Sequence, residues 1–343
     1  MFGRYGLIQA PMAGVQDSAL AVAACRAGAV GSLPAAMLDA ETLAAELARI
    51  QAAVGTAKYN VNFFAHRTPQ ISAAQRDAWH QQLQPYFEAF GLCMADIPAD
   101  GGRRPFDGAA LDVVRRFRVP VVSFHFGLPE PHLLAALKAC GVEIWSSATT
   151  VEEAVWLEKN GADAVIAQGL EAGGHRGMFL SPDVTRQMGL FSLLPNIVRA
   201  VSCPVIAAGG IATPEAVSAA KALGAAAVQA GTAFLLADEA KTSAAHRAAL
   251  QSAQAHDTVL TNLFSGGLAR GIRNRFMDEA GPVSPYALPF PAAGAAAGML
   301  KAAAERAGSS AFSSFWAGQS AALATSGSTA EIVRYLTGGG SVI

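Results

Sequence analysis

Short β-branched runs alternate with alanine-rich amphipathic runs along the first two thirds of the chain. This alternation is typical of repeated βα units, which form parallel sheets. Runs with the length and residue types of strands lie near residues 5–12, 29–34, 58–64, 119–126, 141–148, 163–169, 203–210 and 226–231. The pattern therefore predicts a parallel sheet of eight strands.

Helices are predicted between these strands. Residues 150–162 begin with Thr150 and have Glu153 three positions later, as in a capping box. Residues 213–225 begin with Thr213 as the N-cap, followed by Pro214 in the first turn. Eight βα units favour a closed α/β fold, the (β/α)8 TIM barrel, because open doubly wound sheets usually have five or six strands.

Two segments do not follow the alternation. Residues 65–118 separate the third and fourth strands, and residues 237–320 follow the eighth. We interpret both as a smaller substrate or lid domain on the catalytic face. The barrel would then comprise residues 1–236 with the insertion, and residues 321–343 would be a C-terminal segment partly associated with the barrel.

Composition and charge limit the classes of protein to which the chain can belong. With 343 residues, 52% hydrophobic and 15% charged, the chain can bury a large core. The formal net charge is -1 and no basic run exceeds a pair, which argues against nucleic acid or an anionic membrane as partner. No apolar run approaches the roughly 20 residues of a membrane span. We expect a cytoplasmic enzyme acting on a small molecule, as a monomer or a homodimer.

The four cysteines show no pairing pattern. Cys25, Cys93, Cys140 and Cys203 include no CxxC pair and have no histidine at ligand spacing. This spacing predicts reduced, buried thiols and no metal site.

Glycine-rich loops follow the seventh and eighth strands, where barrels of this class usually bind phosphate. Gly209, Gly210 and Gly231 let backbone N–H groups approach an anion, and the helix near Thr213 directs its positive end at the loop. Thr232 adds a hydroxyl group. The alternative is that the glycines only close tight turns, but their occurrence in both loops favours a phosphate site.

The cofactor is predicted to be a mononucleotide. No GxGxxG motif follows the first strand with an acidic residue about 20 positions later, so a dinucleotide site is not supported. The backbone of residues 10–14, with Met12, would line one edge of a ring. The amides of Asn62 and Gln168 offer a donor and an acceptor each, which suits the edge of a flavin. Each amide is equally suited to satisfying buried backbone groups.

Six motifs together resemble the nitronate monooxygenases, formerly called 2-nitropropane dioxygenases, of the bacterial-type class. They are QAPMAG, NVNFFAH, VSFHFGLP, QGLEAGGHRGMF, PVIAAGGI and QAGTAFLL, and the likeness covers about residues 5–236. Related flavin-dependent enoyl-ACP reductases and NADH:quinone reductases carry a similar AGGH loop. The pair of histidines, His125 and His175, is what points toward nitronates.

The resemblance implies an FMN-dependent enzyme. It would oxidise alkyl nitronates, of the propionate 3-nitronate class, with O2 to a carbonyl compound and nitrite. The residues implied to hold FMN are Asn62, Gln168, Gly173, Gly210, Gln229, Ala230, Gly231 and Thr232, and the loop positions add Met12, Gly174 and Gly209.

The resemblance also implies that His175 is the active-site histidine facing the flavin. Gly173 and Gly174, which lack side chains, would leave room for the flavin beside the backbone. The imidazole would hold an anionic nitro group by a hydrogen bond or by its positive charge. A nitronate is already deprotonated, so a base is needed only for a neutral nitroalkane. His125 would be a second positioning group.

The region after the barrel departs from the family. Tyr286 is the implied substrate residue, but Phe290 and alanines stand where the family tends to show another tyrosine and a lysine. Arg273 and Arg275 would either supply the missing charge or be solvated. His66 would edge the site or lie outside it, and the surface is expected to hold His80, His132, His246 and His256.

Two other functions stay open. One is an NAD(P)H-dependent flavin reductase, acting on quinones or enoyl-ACP, on the same scaffold. The other is a barrel that binds a flavin or a phosphorylated ligand without turnover.

Overall fold

A computed structural model describes residues 2–98 and 102–339 of the chain. Eight strands lie in one parallel sheet of order β1-β9-β8-β6-β5-β4-β3-β2, and a parallel bridge from Ile8 to Val30 closes it. The (β/α)8 barrel predicted from the alternation is therefore confirmed. The strands of the described residues are β1 (Leu7–Gln9), β2 (Ser32–Pro34), β3 (Asn60–Phe64), β4 (Val121–His125), β5 (Glu143–Ala148), β6 (Ala164–Gln168), β7 (Gly174–His175), β8 (Val205–Ala208), β9 (Ala227–Ala230), β10 (Thr258–Thr261) and β11 (Ala269–Ile272).

Helices surround the barrel, and their apolar faces pack on the outward side chains of the strands. In the helix ring, α1 contacts α2 and α12, α2 contacts α4, α4 contacts α5, and α6 contacts α7. The helices of the described residues are α1 (Ser18–Arg26), α2 (Ala40–Val54), α3 (Ala73–Ala89), α4 (Gly108–Arg116), α5 (Pro131–Ala139), α6 (Val151–Lys159), α7 (Leu190–Ala200), α8 (Pro214–Ala222), α9 (Ala244–Leu250), α10 (Arg275–Ala280), α11 (Ala293–Arg306) and α12 (Thr329–Leu336).

The two segments outside the alternation share a core of their own. Trp79 and Phe87 of α3 pack with Phe264, Phe276 and Leu300 from the second segment. An antiparallel sheet of order β10-β11-β7 joins this second core to the loop after β6. Because both segments contribute large aromatic side chains to this one core, they form a single unit over the barrel mouth, which we call the lid unit.

Two helices that border this unit pack in the ring around the barrel. Helix α4 packs between α2 and α5, so the chain outside the barrel ends before residue 118. Helix α12 contacts α1 and α8, which places part of the C-terminal segment in the helix ring. Residues 99–101 of the insertion and 340–343 of the C-terminal segment lie outside the described residues.

One of the two predicted caps differs in detail. Thr213 caps α8 as expected, and the Thr150 side chain accepts the N–H of Glu153. The Glu153 carboxylate, however, does not complete the capping box. It accepts the N–H of Thr149 at 2.7 Å and that of Phe179 at 2.6 Å. Glu153 therefore ties the start of α6 to the loop that follows β7.

The cysteines are free thiols, but only Cys25 is fully buried. Cys93 and Cys140 are exposed, which corrects the expectation of burial, because both follow the ends of helices. Among the described residues, no group of three or more histidine, cysteine, aspartate or glutamate side chains is arranged to hold a metal ion. The described helices include none with the length and apolar character to cross a membrane.

Candidate active site

A cavity of about 310 Å³ opens at the carboxyl ends of the barrel strands. The parallel strands all end on this side, so residues distant in sequence meet there. The predicted residues that line the cavity are Met12, Asn62, His125, Gln168, Gly173, Gly174, His175, Gly209, Gly210, Gln229, Gly231 and Thr232.

Two predicted residues do not line it. Ala230 is 1% exposed and its carbonyl accepts the N–H of Ala10. Because side chains alternate along a strand, Gln229 and Gly231 face the cavity and Ala230 faces away. Tyr286 is 55% exposed, outside the cavity. Its N–H donates to the Ser284 hydroxyl at 3.1 Å.

The glycine loops form an anion cradle. Gly209 and Gly210 have φ angles of 114° and 71°, which only glycine adopts without strain. Among the described residues, no backbone acceptor takes the N–H of Gly210 or Gly231. These two N–H groups are therefore free to bind an anion, as expected for a phosphate site.

A segment that the sequence did not predict closes this cradle. Ser320 donates to the carbonyl of Gly210 at 2.9 Å, and the N–H of Gly318 donates to the Thr232 hydroxyl at 2.9 Å. A Cβ added at Gly173 would lie 2.5 Å from the backbone nitrogen of Gly318. The approach of this segment therefore requires a glycine at position 173, and the role of Gly173 beside a ligand stays a prediction.

The cavity also contains an unsatisfied acceptor. The Gln229 side-chain oxygen is buried and has no hydrogen-bond partner among the described residues. A buried polar atom without a partner is destabilising unless a ligand or water bonds to it. Together with the cradle, this atom fits a phosphorylated ligand that carries its own donor groups.

The histidine loop is held rigidly against the barrel. Arg176, 1% exposed, donates to the carbonyls of Gln168 and Gly169 at 2.8 Å each. The amide of Gln168 donates to the His175 carbonyl at 2.9 Å and accepts the N–H of Gly177 at 2.8 Å. Both ends of this amide are thus bonded to the loop, so Gln168 positions His175, and its contact with a cofactor ring stays a prediction.

His125 supports the same loop from β4. Its Nε2 lies 2.9 Å from the His175 carbonyl oxygen and its Nδ1 lies 2.9 Å from the Ser147 hydroxyl. A carbonyl only accepts, so Nε2 carries the proton and Nδ1 accepts from Ser147. Burial lowers the pKa of His125 to about 4, so the ring is neutral. Ser147, at the end of β5, is a site residue that the strand-end rule would have found.

The imidazole of His175 lies in an apolar setting. Its Nε2 is 2.7 Å from the Ser265 hydroxyl, and the ring centres of Phe290 and Trp316 lie 5.1 and 5.5 Å away. Burial, and next the charge of Arg103, lower its pKa well below 6.5. The free histidine is therefore uncharged near neutral pH and interacts with its surroundings through hydrogen bonds. Its Nδ1 has no hydrogen-bond partner among the described residues.

The remaining basic side chains differ in part from expectation. His246 is 3% exposed and stacks on Phe315 at 4.7 Å, so its surface assignment is wrong. Arg273 and Arg275 form exposed pairs with Asp278 and Glu279, as solvated arginines do. His66 packs 4.9 Å from Phe290 but does not line the cavity, while His132 and His256 are exposed and His80 is half-buried.

Two cations on the cavity wall were not predicted. Arg103 lies in the insertion and Lys301 lies on α11, and neither position carries a sequence motif. Among the described residues, no aspartate or glutamate lines the cavity. The cavity is therefore electropositive and suited to anions.

A (β/α)8 barrel with a cavity at the carboxyl ends of its strands is typical of a large class of enzymes, whose active sites lie at this mouth of the barrel. Within that class, the chain belongs to the nitronate monooxygenase family, whose model matches residues 2–339. It is accordingly a flavin-dependent oxidoreductase, as the resemblance predicted.

Individual relatives agree with this family. The chain is 41% identical over 335 residues to a nitronate monooxygenase of Paraburkholderia phytofirmans, covering 96% of this chain and 90% of that protein. It is similar to the crystal structure of a nitroalkane oxidase from Streptomyces ansochromogenes, with a TM-score of 0.89, 37% identity and coverage of 98% and 96%. FabK from Thermotoga maritima is also similar, with a TM-score of 0.69, 26% identity and coverage of 97% and 91%.

Proposed function

We propose that this protein oxidises alkyl nitronates, of the propionate 3-nitronate class, with FMN and O2 to a carbonyl compound and nitrite. The observation that carries the proposal is the cavity itself, in which an anion cradle and the neutral His175 line one electropositive space. Family membership supports the same chemistry.

The described residues fit FMN better than a dinucleotide. The N–H groups of Gly210 and Gly231 would bind its single phosphate, and the unpaired oxygen of Gln229 would accept from its polar groups. Met12 and Asn62 would contact the ring or the ribityl chain. Bound FMN would accept the electrons of the nitronate and pass them to O2.

His175 would hold the substrate through Nδ1, the ring atom without a protein partner. A proton on Nε2 that is donated to Ser265 leaves Nδ1 as an acceptor, which can take the α-proton of a neutral nitroalkane. A proton on Nδ1 makes it a donor to an oxygen of a nitronate. The aromatic rings of Phe290 and Trp316 would exclude water from this contact.

Anaerobic mixing tests the proposal directly. The purified protein should be yellow, and its flavin absorbance near 450 nm should bleach with propionate 3-nitronate and not with NADH. Bleaching by NADH alone would support the reductase alternative instead. Heat release of the cofactor should yield FMN, and recovery of FAD or of no flavin would contradict the cofactor assignment.

A further inference from the structure

Arg103 is a cation at the cavity wall, and backbone pairing holds its segment in place. Two residues further on, Pro105 forms a parallel bridge with Phe64 at the end of β3, and the N–H of Phe106 donates to the Phe64 carbonyl at 2.8 Å. Arg103 therefore reaches the cavity from the end of β3, beside His66.

Among residues 2–98 and 102–339, no carboxylate forms an ion pair with the Arg103 guanidinium. Burial lowers the pKa of Arg103, and no carboxylate among the described residues opposes that effect. Other basic residues near the cavity are satisfied: Arg176 donates to backbone carbonyls, and Lys301 lies 3.9 Å from Glu305. A partly buried cation without a partner is costly unless a ligand neutralises it.

Arg103 and His175 act on the same part of the cavity. The Arg103 segment is paired with Phe64, whose ring centre lies 6.2 Å from that of His66 and 6.3 Å from that of His175, and Arg103 and His175 line the same cavity. The charge of Arg103 accordingly contributes to the lowered pKa of both histidines. Lys301 acts instead on His246, in a different part of the wall. Of the two cations that line the cavity, Arg103 is thus the one whose charge acts on His175.

We propose that Arg103 binds the carboxylate of a carboxylated nitronate whose nitro group is held by His175. The inference rests on the proposed function and names the residue that binds the second anionic group of such a nitronate. A planar guanidinium binds a carboxylate through two parallel hydrogen bonds, which neither neutral imidazole matches. Phe290 on the lid side offers no polar group, so Arg103 supplies the anchor from the insertion.

Kinetics with matched substrates test the assignment. Arg103→Gln should lower kcat/KM for propionate 3-nitronate about 10- to 100-fold, mainly through KM, as expected for a lost charged hydrogen bond. For butane 1-nitronate, which lacks the carboxylate, the change should stay within about threefold. Equal losses for both substrates, or no loss for either, would overturn the proposal.

Two further variants separate binding from folding. Arg104→Gln removes a charge from the neighbouring exposed residue, which does not line the cavity, and should leave both substrates unaffected. Arg103→Lys keeps the positive charge but lacks the paired N–H donors of the planar guanidinium, so it should retain part of the affinity for the carboxylated substrate. An Arg104→Gln loss equal to that of Arg103→Gln would also overturn the proposal.

A binding measurement makes the result independent of catalysis. Calorimetric titration of the purified flavoprotein with butanoate should give a Kd that Arg103→Gln raises at least about 10-fold. Binding that depends on Arg103 in a protein that oxidises no nitronate would refute the proposed function and leave the carboxylate site standing. Absence of butanoate binding to the unmodified protein would refute the site.

Discussion

At the scale of single residues, the orientation of His175 depends on three other side chains. Its carbonyl accepts from His125 and from Gln168, and its Nε2 contacts the hydroxyl of Ser265. These partners come from β4, from β6 and from the segment after β10. The imidazole is therefore preorganised before any substrate enters, which is the condition for efficient electrostatic and hydrogen-bonding catalysis.

Replacing His175 should separate the two substrate forms. His175→Asn should lower kcat/KM about 10²-fold for a nitronate, the effect of losing one preorganised contact, and further for a neutral nitroalkane, which also loses its base. The measurement is steady-state kinetics with both forms of one compound at equal flavin content. Because the pKa of His175 lies well below 6.5, the unmodified enzyme should show no ionisation of this group between pH 6 and 9 with a nitronate. Equal use of nitronates by enzyme and variant would exclude the imidazole from the chemistry.

Ser265 should act through His175 as a positioning residue. Ser265→Ala removes the partner of Nε2 and should lower kcat for a neutral nitroalkane about tenfold, with little change in KM. Ser265→Thr keeps a hydroxyl group and should recover part of the rate. A change confined to KM, or lost flavin, would show that Ser265 serves substrate or cofactor binding instead.

At the scale of elements, the loops after β8 and β9 form the cradle only together with the segment 318–320. The hydrogen bond from Ser320 to Gly210 and that from Gly318 to Thr232 join these three loops. The close approach at Gly173 adds the loop after β6 to the same contact. Small residues therefore allow four chain segments to approach one another at this point, namely the loops after β6, β8 and β9 and the segment 318–320.

Gly210→Val should abolish flavin retention while the barrel stays folded. A Cβ added at Gly210 would lie no closer than 3.5 Å to its nearest neighbouring atom, so steric clash is not the cause of the expected flavin loss. The loss would come from backbone strain at a φ angle of 71° and from a side chain placed beside the free N–H group. Flavin content measured with far-UV circular dichroism tests this. Gly298→Ala, in α11 with open space around the added Cβ, is the matched control and should keep its flavin. Normal flavin content in Gly210→Val would rule out this loop as the phosphate site.

At the scale of the whole molecule, the lid unit and the barrel share buried neutral histidines. Burial lowers the pKa values of His66, His125 and His246 to about 4. In the unfolded chain these groups titrate near 6.5. Between those values the unfolded state binds protons that the folded state does not, so stability falls as pH decreases from about 6.5 to about 4.

His246→Phe should reduce this pH dependence. His246 stacks on Phe315 and its Nε2 has no hydrogen-bond partner among the described residues, so a phenyl ring preserves the packing and removes the proton site. The free energy of unfolding, measured by urea titration, should fall less between pH 7 and pH 5 in the variant than in the unmodified protein. The difference between the two proteins should be up to about 1.4 kcal/mol per pH unit. Parallel curves for the two proteins would show that His246 does not titrate as its burial implies.

The sequence by itself determined the barrel and the residues at the ends of its strands. Hydrophobic periodicity decides which residues a strand buries, and the parallel βα order brings all strand ends to one side, so local pattern placed His125, His175 and the cradle glycines on one face of the barrel. The roles expected of the two histidines came from the resemblance of their motifs to the nitronate monooxygenases. Tertiary structure decided their partners. Ser265 and Ser320 act 90 and 110 positions away from His175 and Gly210, and Arg103 arrives from an insertion with no motif. Local pattern also does not set the direction of a side chain in an irregular loop. There, Tyr286 is 55% exposed and lies outside the cavity, while Phe290 packs against His175.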